Sequence, residues 1–265
     1  MYRSAPIFVV DKSDKRNEYL YGLLVGGGYK ARVWDAGASY TPNKKHVFLF
    51  APSRAVSQEI ADTLPKGSTV FCVFCTPKVV KYLEQNGVTL VKIFDDELLA
   101  VRNANLTAEG ALAALINNTE VSLSGLRVLI IGGGRVGKAT AKILQTVGCK
   151  VCIATRRKDE FAIAPLLSEC AVKLRDIDGQ LPEVDAVVNT VPARVLGADR
   201  LAMLREGCFV LDLASKPYGA DIVAAREAGV NYLIYPSVPG KVAPKTAAAQ
   251  MLERVFNNLK FIIEK

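Results

Sequence analysis

The 265-residue sequence has little of several features that mark common functional classes. It contains one histidine and one tryptophan, and no uninterrupted apolar run approaches the roughly 20 residues that a membrane-spanning helix needs. The apolar stretch near its N-terminus is too short for a signal peptide. We therefore expect no association with a membrane, and a cytoplasmic location.

The six cysteines do not form a metal-binding pattern. Two CxxC pairs are present, Cys72 with Cys75 and Cys149 with Cys152. The halves of a paired zinc site are usually about 15 to 20 residues apart, whereas 74 positions separate Cys75 from Cys149. Each pair also lies in a strand-like apolar run, where side chains at i and i+3 point to opposite faces. We expect no metal, and buried reduced thiols that include Cys170 and Cys208.

The formal net charge of +8 does not predict binding of nucleic acid. Lysine and arginine are scattered, and no basic stripe is interleaved with aromatic residues as in proteins that bind single strands. A small ligand with several negative charges accounts for the same excess of positive charge.

Short apolar runs alternate with amphipathic stretches nearly from end to end, which predicts an α/β protein with parallel sheets. We expect two doubly wound domains, one over residues 1–104 and one over residues 105–265. The last stretch, residues 244–264, is predicted to be a long C-terminal helix, with Pro244 in its first turn, that packs back on the first domain.

A glycine-rich segment at the start of the second domain fits the pattern G-x-G-x-x-G. It consists of Gly132, Gly133, Gly134, Arg135, Val136 and Gly137. A buried strand precedes it and an amphipathic helix follows, the context of a Rossmann dinucleotide site. Gly132 would permit the tight turn, Gly134 would let the backbone approach a pyrophosphate, and Gly137 would let the helix pack closely on the strand. Arg135 and Val136, which lie between the last two of these glycines, are also predicted to bind the cofactor.

The end of the next strand indicates which dinucleotide binds. An acidic residue about 20 positions after the first glycine would hold the ribose 2′-hydroxyl of NAD, but here the sequence is Thr155, Arg156, Arg157 and Lys158. A hydroxyl followed by three cations suits a 2′-phosphate. The sequence therefore predicts NADP, and an ordinary solvated basic turn is the alternative.

The later strand ends of the second domain are predicted to form the rest of the cofactor site, because ligands of open α/β sheets bind at the carboxyl ends of the strands. The candidate residues are Thr190, Val191, Pro192, Leu213, Ala214 and Ser215. The only histidine, His46, begins a predicted strand in the first domain. The late histidine that many 2-hydroxy-acid dehydrogenases use as a general acid is therefore missing.

Several segments together resemble the family formed by the A subunits of dipicolinate synthase. They are VLIIGGGRVGKATAKIL, LTAEGALAALI, LDLASKPYGAD and YPSVPGKVAPKTAAAQML, and the similarity runs from about residue 95 to the C-terminus. The resemblance implies an NADP-linked oxidoreductase of spore-forming bacteria that oxidises a cyclic dihydro- or tetrahydrodipicolinate-type dicarboxylate to dipicolinate by hydride transfer. It also implies that the partner is a flavoprotein-like second subunit.

The resemblance gives roles to particular residues. Lys216 and Lys245 would bind the substrate carboxylates, and Thr107, Thr246 and Ser215 would add hydrogen bonds. Lys245, Ser215 and Glu109 are the catalytic candidates, with Glu109 or a bound water accepting a ring proton. A homodimer is expected only by analogy with two-domain dehydrogenases.

The first domain departs from the family. It lacks the glycine-rich turn expected before Asp11, and the region between His46 and Thr76 looks shortened. Two alternatives therefore stay open. One is a non-catalytic NADP-binding subunit that needs a partner, and the other is a small NADP dehydrogenase of the methylenetetrahydrofolate or shikimate dehydrogenase type.

Overall fold

The structure, a computed structural model, describes residues 5–40 and 45–263, the last three of them by backbone alone. The chain forms two compact units. The first comprises Met1–Arg102 and Ala243–Lys265, and the second comprises Asn103–Val242. The first unit is thus built from two separate stretches of chain, and the second is continuous.

The first unit contains a five-stranded parallel sheet in the order β2-β1-β3-β5-β7. A separate two-stranded sheet pairs β4 with β6. The strands of this unit are β1 (Ile7–Val10), β2 (Ala31–Val33), β3 (His46–Leu49), β4 (Ala55–Val56), β5 (Thr69–Cys72), β6 (Phe74–Cys75) and β7 (Thr89–Lys92). The winding direction reverses between β1 and β3, where neighbouring strand ends leave a crevice in sheets of this kind.

Helices cover this sheet. They are α1 (Lys15–Gly26), α2 (Gln58–Asp62), α3 (Pro77–Gln85), the first turns of α4 (Glu97–Asn118), and α10 (Pro244–Ile263). The C-terminal helix α10 is part of this unit's core, because Ala248, Met251 and Val255 pack among Phe8, Leu20 and other buried residues. Residue 264, the last of the predicted helix, lies outside the described residues.

The second unit contains a six-stranded parallel sheet in the order β10-β9-β8-β11-β12-β13. Its strands are β8 (Arg127–Ile131), β9 (Lys150–Thr155), β10 (Cys170–Lys173), β11 (Ala186–Asn189), β12 (Phe209–Asp212) and β13 (Asn231–Ile234). Numbered within the unit, this order is 3-2-1-4-5-6, the Rossmann arrangement. The predicted α/β class with two doubly wound parallel sheets is confirmed.

The central strands of the second sheet are buried on both faces, which explains why they appear in the sequence as continuous apolar runs. The remaining helices of this unit are α5 (Arg135–Thr146), α6 (Lys158–Ile163), α7 (Ala198–Ala202), α8 (Ile222–Glu227) and α9 (Val238–Val242). Among the described residues, none of the helices combines the length and apolar character needed to cross a membrane.

Two predictions at the level of elements were wrong. The segment SRAVSQEIADTL, between two apolar runs, predicts one helix over residues 53–64, but β4 occupies its start. Helix α2 begins only after Ser57, whose hydroxyl caps the amide of Ile60 at 3.4 Å. The cysteines are also not all free. Cys152 and Cys170 are paired opposite each other on β9 and β10 and form a disulfide, whereas Cys72, Cys75, Cys149 and Cys208 are free and buried.

Candidate nucleotide-binding site

The turn from β8 into α5 requires glycine at two positions. Gly132 adopts φ +108°, a left-handed conformation that favours glycine. A Cβ on Gly132 would overlap the hydroxyl of Thr190, and a Cβ on Gly137 would overlap the carbonyl oxygen of Gly132. The close approach of α5 to β8 therefore depends on both glycines.

The N-terminus of α5 is open to a ligand. Gly134 is the N-cap residue, and no side chain caps the first-turn N–H groups, which have no partner inside the helix. A Cβ placed on Gly134 would meet no atom within 4 Å. A phosphate fits this arrangement, because free N–H groups and the positive end of the helix dipole point to the same place. Arg135 is exposed and Val136 half-buried in the first turn of α5.

The carboxyl end of β9 presents a carboxylate that the sequence did not predict. Glu160, on α6, accepts a hydrogen bond from the buried hydroxyl of Thr155. Its side chain also lies against the glycine-rich loop, with Oε2 3.1 Å from where a Cβ of Gly133 would stand. An acidic group is therefore present beside the loop, although none follows β9 directly in the sequence.

Arg157 is already paired with two acidic residues. Its Nη2 lies 2.6 Å from Asp159 Oδ2, and its Nε lies 3.5 Å from Glu160 Oε1. The hydrogen bond from Arg157 holds the pKa of Asp159 below its ordinary value, so this carboxylate stays ionised. Both side chains of the Arg157–Asp159 pair are exposed, so the pair contributes little to stability.

A cavity of about 680 Å³ opens at the same strand end. Its walls combine apolar side chains with cations that come from the loops after β9, β10 and β11 and from α7. The lining residues are Thr155, Arg156, Arg157, Lys158, Phe161, Lys173, Leu174, Arg175, Val191, Ala193, Arg194, Val195 and Arg200. Among the residues that the structure describes, no aspartate or glutamate lines this cavity.

Besides Arg157, three of these cations are paired with acidic residues that do not line the cavity. Arg175 Nε lies 3.5 Å from Asp176 Oδ1. Arg200 Nε donates to Asp178 Oδ1 at 2.7 Å, and Arg194 pairs with Asp221. Arg156 and Arg175 are exposed at the cavity. The apolar walls suit a planar ring, and the surrounding cations suit an anion.

The predicted cofactor walls rest on a buried polar network. Asp212, at the end of β12, accepts hydrogen bonds from Asn189 Nδ2 at 2.9 Å, from Ala214 N at 3.0 Å and from the Tyr232 hydroxyl at 2.6 Å. Asn189 also binds the backbone of Val191 through both ends of its amide. Burial, and then the bond to Asp212, raise the pKa of Tyr232, which keeps its hydroxyl protonated as a donor.

This network fixes both loops that the sequence analysis selected. Thr190, Val191 and Pro192 follow β11, and the Thr190 hydroxyl donates to Ile131 O at 2.9 Å. Leu213, Ala214 and Ser215 follow β12. Neither Asp212 nor Tyr232 was selected from the sequence, although a charged residue that ends an apolar strand is a signal that could have identified Asp212.

The predicted substrate and catalytic residues occupy different elements of the two units. Ser215 and Lys216 are exposed after β12, and Glu109 is exposed on α4 of the second unit. Thr107 is buried, and its hydroxyl donates to Asn103 O of its own helix at 2.8 Å. Their roles stay predictions.

The remaining two, Lys245 and Thr246, are exposed in the first turn of α10, which belongs to the first unit. Lys245 Nζ lies 5.5 Å from the centre of the Tyr19 ring. The participation of Lys245 in catalysis also stays a prediction. His46, the only histidine of the chain, begins β3 and is buried.

Comparisons with known proteins agree with the geometry of the second unit. Residues 100–215 match the family described as D-isomer specific 2-hydroxyacid dehydrogenase, NAD binding domain. A curated relative, the A subunit of dipicolinate synthase from Bacillus subtilis strain 168, is 28% identical over 204 residues, which cover 77% of this chain and 68% of the relative.

The chain resembles the A subunit of dipicolinate synthase. The crystal structure of that subunit from Bacillus halodurans is 26% identical, with a TM-score of 0.79 and coverage of 97% of both chains. The corresponding structure from Bacillus subtilis has a TM-score of 0.82 at 23% identity, over 100% of this chain and 98% of that one.

The comparisons support a dehydrogenase-type oxidoreductase with a nicotinamide cofactor. The residues present fit such a group, because the open N-terminus of α5 can take the pyrophosphate and the cavity at the end of β9 can take the adenosine half. The glycine-rich loop identified from the sequence lies inside the matched segment.

Proposed function

We propose that this chain is an NADP-dependent oxidoreductase of the same type as the A subunit of dipicolinate synthase. Its substrate would be a cyclic dicarboxylate of the dihydro- or tetrahydrodipicolinate class, oxidised to dipicolinate by hydride transfer. The observation that supports NADP is the cavity at the end of β9, which gathers seven lysine and arginine residues and, among the described residues, no acidic one. A ribose 2′-phosphate carries the charge that such a cavity favours.

The cavity offers cations on more than one wall. Arg156 comes from the turn after β9 and Lys158 from the first turn of α6. Lys173 and Arg175 come from the end of β10 and the turn after it. Because Arg157 is paired with two acidic residues, and Arg175 with one, Asp176, at 3.5 Å, we assign the phosphate mainly to Arg156 and Arg175. Arg157 and Lys158 contribute long-range attraction, and the buried Thr155 holds Glu160 in place.

The oxidation of a dihydropyridine-type ring removes one hydride and one proton and leaves an aromatic ring. When bound, the nicotinamide supplies the acceptor for the hydride. The chain's own task is to orient the substrate ring and to hold its two carboxylates, for which Lys216 and Lys245 are the proposed cations. Ser215, Thr246 and Thr107 are the proposed hydrogen-bonding residues, and Glu109 or a bound water is the proposed acceptor of the ring proton.

A partner is part of the proposal, because the curated relative carries the name of one subunit of a synthase. We propose that this chain forms a homodimer in the cytoplasm of a spore-forming bacterium and works there with a flavoprotein-like second subunit. One of the two alternatives from the sequence is a non-catalytic NADP-binding subunit that needs a partner. Turnover of a dihydrodipicolinate-type substrate by the purified chain, alone and with the second subunit, separates these two functions.

The cofactor assignment is tested by fluorescence titration with NADPH and with NADH at matched ionic strength. We expect NADPH to bind more tightly, and Arg156→Ala and Arg175→Ala each to weaken NADPH binding by about tenfold while leaving NADH binding unchanged. Arg226→Ala is the matched control, since Arg226 is exposed on α8 and does not line the cavity. Equal affinity of the native chain for both cofactors would overturn the assignment of NADP.

A further inference from the structure

The first unit has a polar cluster at the point where its sheet reverses its winding direction. The reversal lies between β1 and β3, and ligands of doubly wound sheets bind at the carboxyl ends of the strands at such a point. Two loops leave the sheet there, one beginning with Asp11 after β1 and one running from Phe50 to Arg54 after β3.

Asp11 fixes both loops. It is buried, and its carboxylate accepts hydrogen bonds from Ser13 N at 3.1 Å and Ser13 Oγ at 3.0 Å on its own loop. From the other loop it accepts bonds from Ala51 N at 3.2 Å and Arg54 Nε at 2.7 Å. The guanidinium of Arg54 is therefore held in place through one of its three nitrogens.

The other two nitrogens of Arg54 are available to a ligand. Within the described part of the chain, neither Nη atom of Arg54 has a hydrogen-bond partner, and the side chain is 36% exposed. A guanidinium that is fixed through Nε and offers its Nη atoms is suited to an anion with two oxygens, above all a carboxylate.

Aromatic rings line the same place. The guanidinium carbon of Arg54 lies 5.0 Å from the centre of the Trp34 ring, and Trp34 packs edge-on against Phe50 with ring centres 5.3 Å apart. The indole Nε1 of Trp34 is buried and has no hydrogen-bond partner among the described residues. The cluster thus combines a fixed cation, a flat apolar surface and a donor that lacks an acceptor.

The loop after β1 also carries a lysine. Lys12, on the loop after β1, is exposed, and its Nζ lies 5.0 Å from the centre of the Tyr21 ring. On the same loop, Asp14 is ion-paired with Arg16.

We propose that Arg54, backed by Trp34, binds a carboxylate carried on a planar ring. The assignment of that carboxylate to the enzyme's substrate rests on the function proposed above. The recognition of a ring carboxylate by Arg54 rests only on the contacts of the first unit. Arg54 would then be a specificity-determining residue of the first unit.

The test is calorimetric titration of the full chain with pyridine-2,6-dicarboxylate and with pyridine-2-carboxylate, with and without saturating NADP⁺. We expect Arg54→Gln to weaken binding of the ring carboxylate by roughly 10- to 100-fold, because it removes a charge-assisted pair. Arg54→Lys should show an intermediate loss, since it keeps the charge and removes the fork. Arg102→Gln is the matched control, because Arg102 is also 36% exposed and ion-paired within the same unit.

Unchanged affinity in Arg54→Gln, or no binding of either compound by the native chain, would overturn the proposal. If Arg54→Gln melts at a much lower temperature, Arg54→Lys decides, because it retains a cation for Asp11. NADPH affinity measured in parallel separates the two proposals. If the native chain binds the ring carboxylate through Arg54 but does not bind NADPH, this inference stands and the proposed cofactor is refuted.

Discussion

The hydroxyl of Thr155 donates a hydrogen bond to the carboxylate of Glu160, which holds a negative charge against the glycine-rich loop. Replacing Glu160 by Gln removes this charge and keeps the size of the side chain. We expect Glu160→Gln to bind NADPH about three- to tenfold more tightly, since like charges near a phosphate repel each other. Fluorescence titration measures the gain, which should shrink as salt is raised.

Glu169→Gln is the control for this substitution, because Glu169 is exposed in the same unit and does not line the cavity. Weaker NADPH binding in Glu160→Gln would contradict the repulsion. It would mean instead that Glu160 accepts a hydrogen bond from the cofactor, as an acidic residue does from ribose in NAD sites.

Alanine substitutions at two glycines of the same loop should affect different properties, one the binding of NADPH and the other the stability of the fold. Gly134→Ala should keep the stability of the fold, because a Cβ there meets nothing within 4 Å, but should weaken NADPH binding at least tenfold by blocking the backbone from the pyrophosphate. Gly137→Ala should lower the free energy of unfolding by about 2 kcal/mol or more, since its Cβ would overlap Gly132 O.

Urea unfolding together with NADPH titration of both variants checks this contrast. Gly179→Ala, which also meets no neighbour within 4 Å, serves as the control in the same unit. NADPH binding at the native level in Gly134→Ala would rule out close contact between that backbone and the cofactor.

The bond from Tyr232 to Asp212 should stabilise the second unit. Tyr232→Phe leaves the buried carboxylate with one donor fewer, and we expect the free energy of unfolding to fall by about 1–3 kcal/mol. Tyr235→Phe is the comparison, because the Tyr235 hydroxyl makes no hydrogen bond within the described part of the chain. Equal stability of the two variants in urea would show that the Tyr232 bond contributes nothing.

The cysteines give a prediction for both reactivity and pH. Burial raises the pKa of Cys72 and of Cys208 to about 12, so in the native protein these thiols should resist a disulfide reagent at pH 8. In denaturant the four free cysteines should react, and all six should react after reduction. Six reactive thiols without reduction would refute the bond between Cys152 and Cys170.

The same pKa shifts determine how the free energy of unfolding changes with pH. Because the unfolded thiols ionise near pH 9 and the folded ones near pH 12, the unfolded state binds fewer protons between these values. Stability should therefore fall as the pH rises above about 9. Replacement of Cys72 and Cys208 by Ala should remove the contribution of these thiols to the fall in the free energy of unfolding, which urea unfolding at several pH values measures.

The sequence predicted the elements whose signal is local. The apolar run in the strand Arg127–Ile131, which starts at Val128, and the glycines after it identify a strand, a turn and a helix without reference to the rest of the chain. Glu160 escaped prediction because it reaches the glycine-rich loop from the first turn of α6, five residues after Thr155. Spacing from the end of a strand does not reveal a side chain that turns back from a helix.

The sequence likewise did not predict contacts between residues on different strands and their loops. The disulfide requires Cys152 and Cys170 to face each other, which follows from the order of the strands and their register, not from 18 residues of separation. The same holds for Asp11 and Arg54, which are brought together only because β1 and β3 are neighbours. Sequence reasoning was strongest within one strand–helix unit and weakest between distant segments.

The first unit is built from two separate stretches of chain, which determines the order in which the two units can fold during synthesis. Residues 103–242 form a continuous unit that can complete its core as soon as it has emerged. The earlier strands β1 to β7 are made first, yet the buried partners Met251 and Val255 come from α10, made more than 150 residues after β7. Strands β1 to β7 therefore finish folding after the unit that follows them in the chain, and until then their apolar face is open to chaperones.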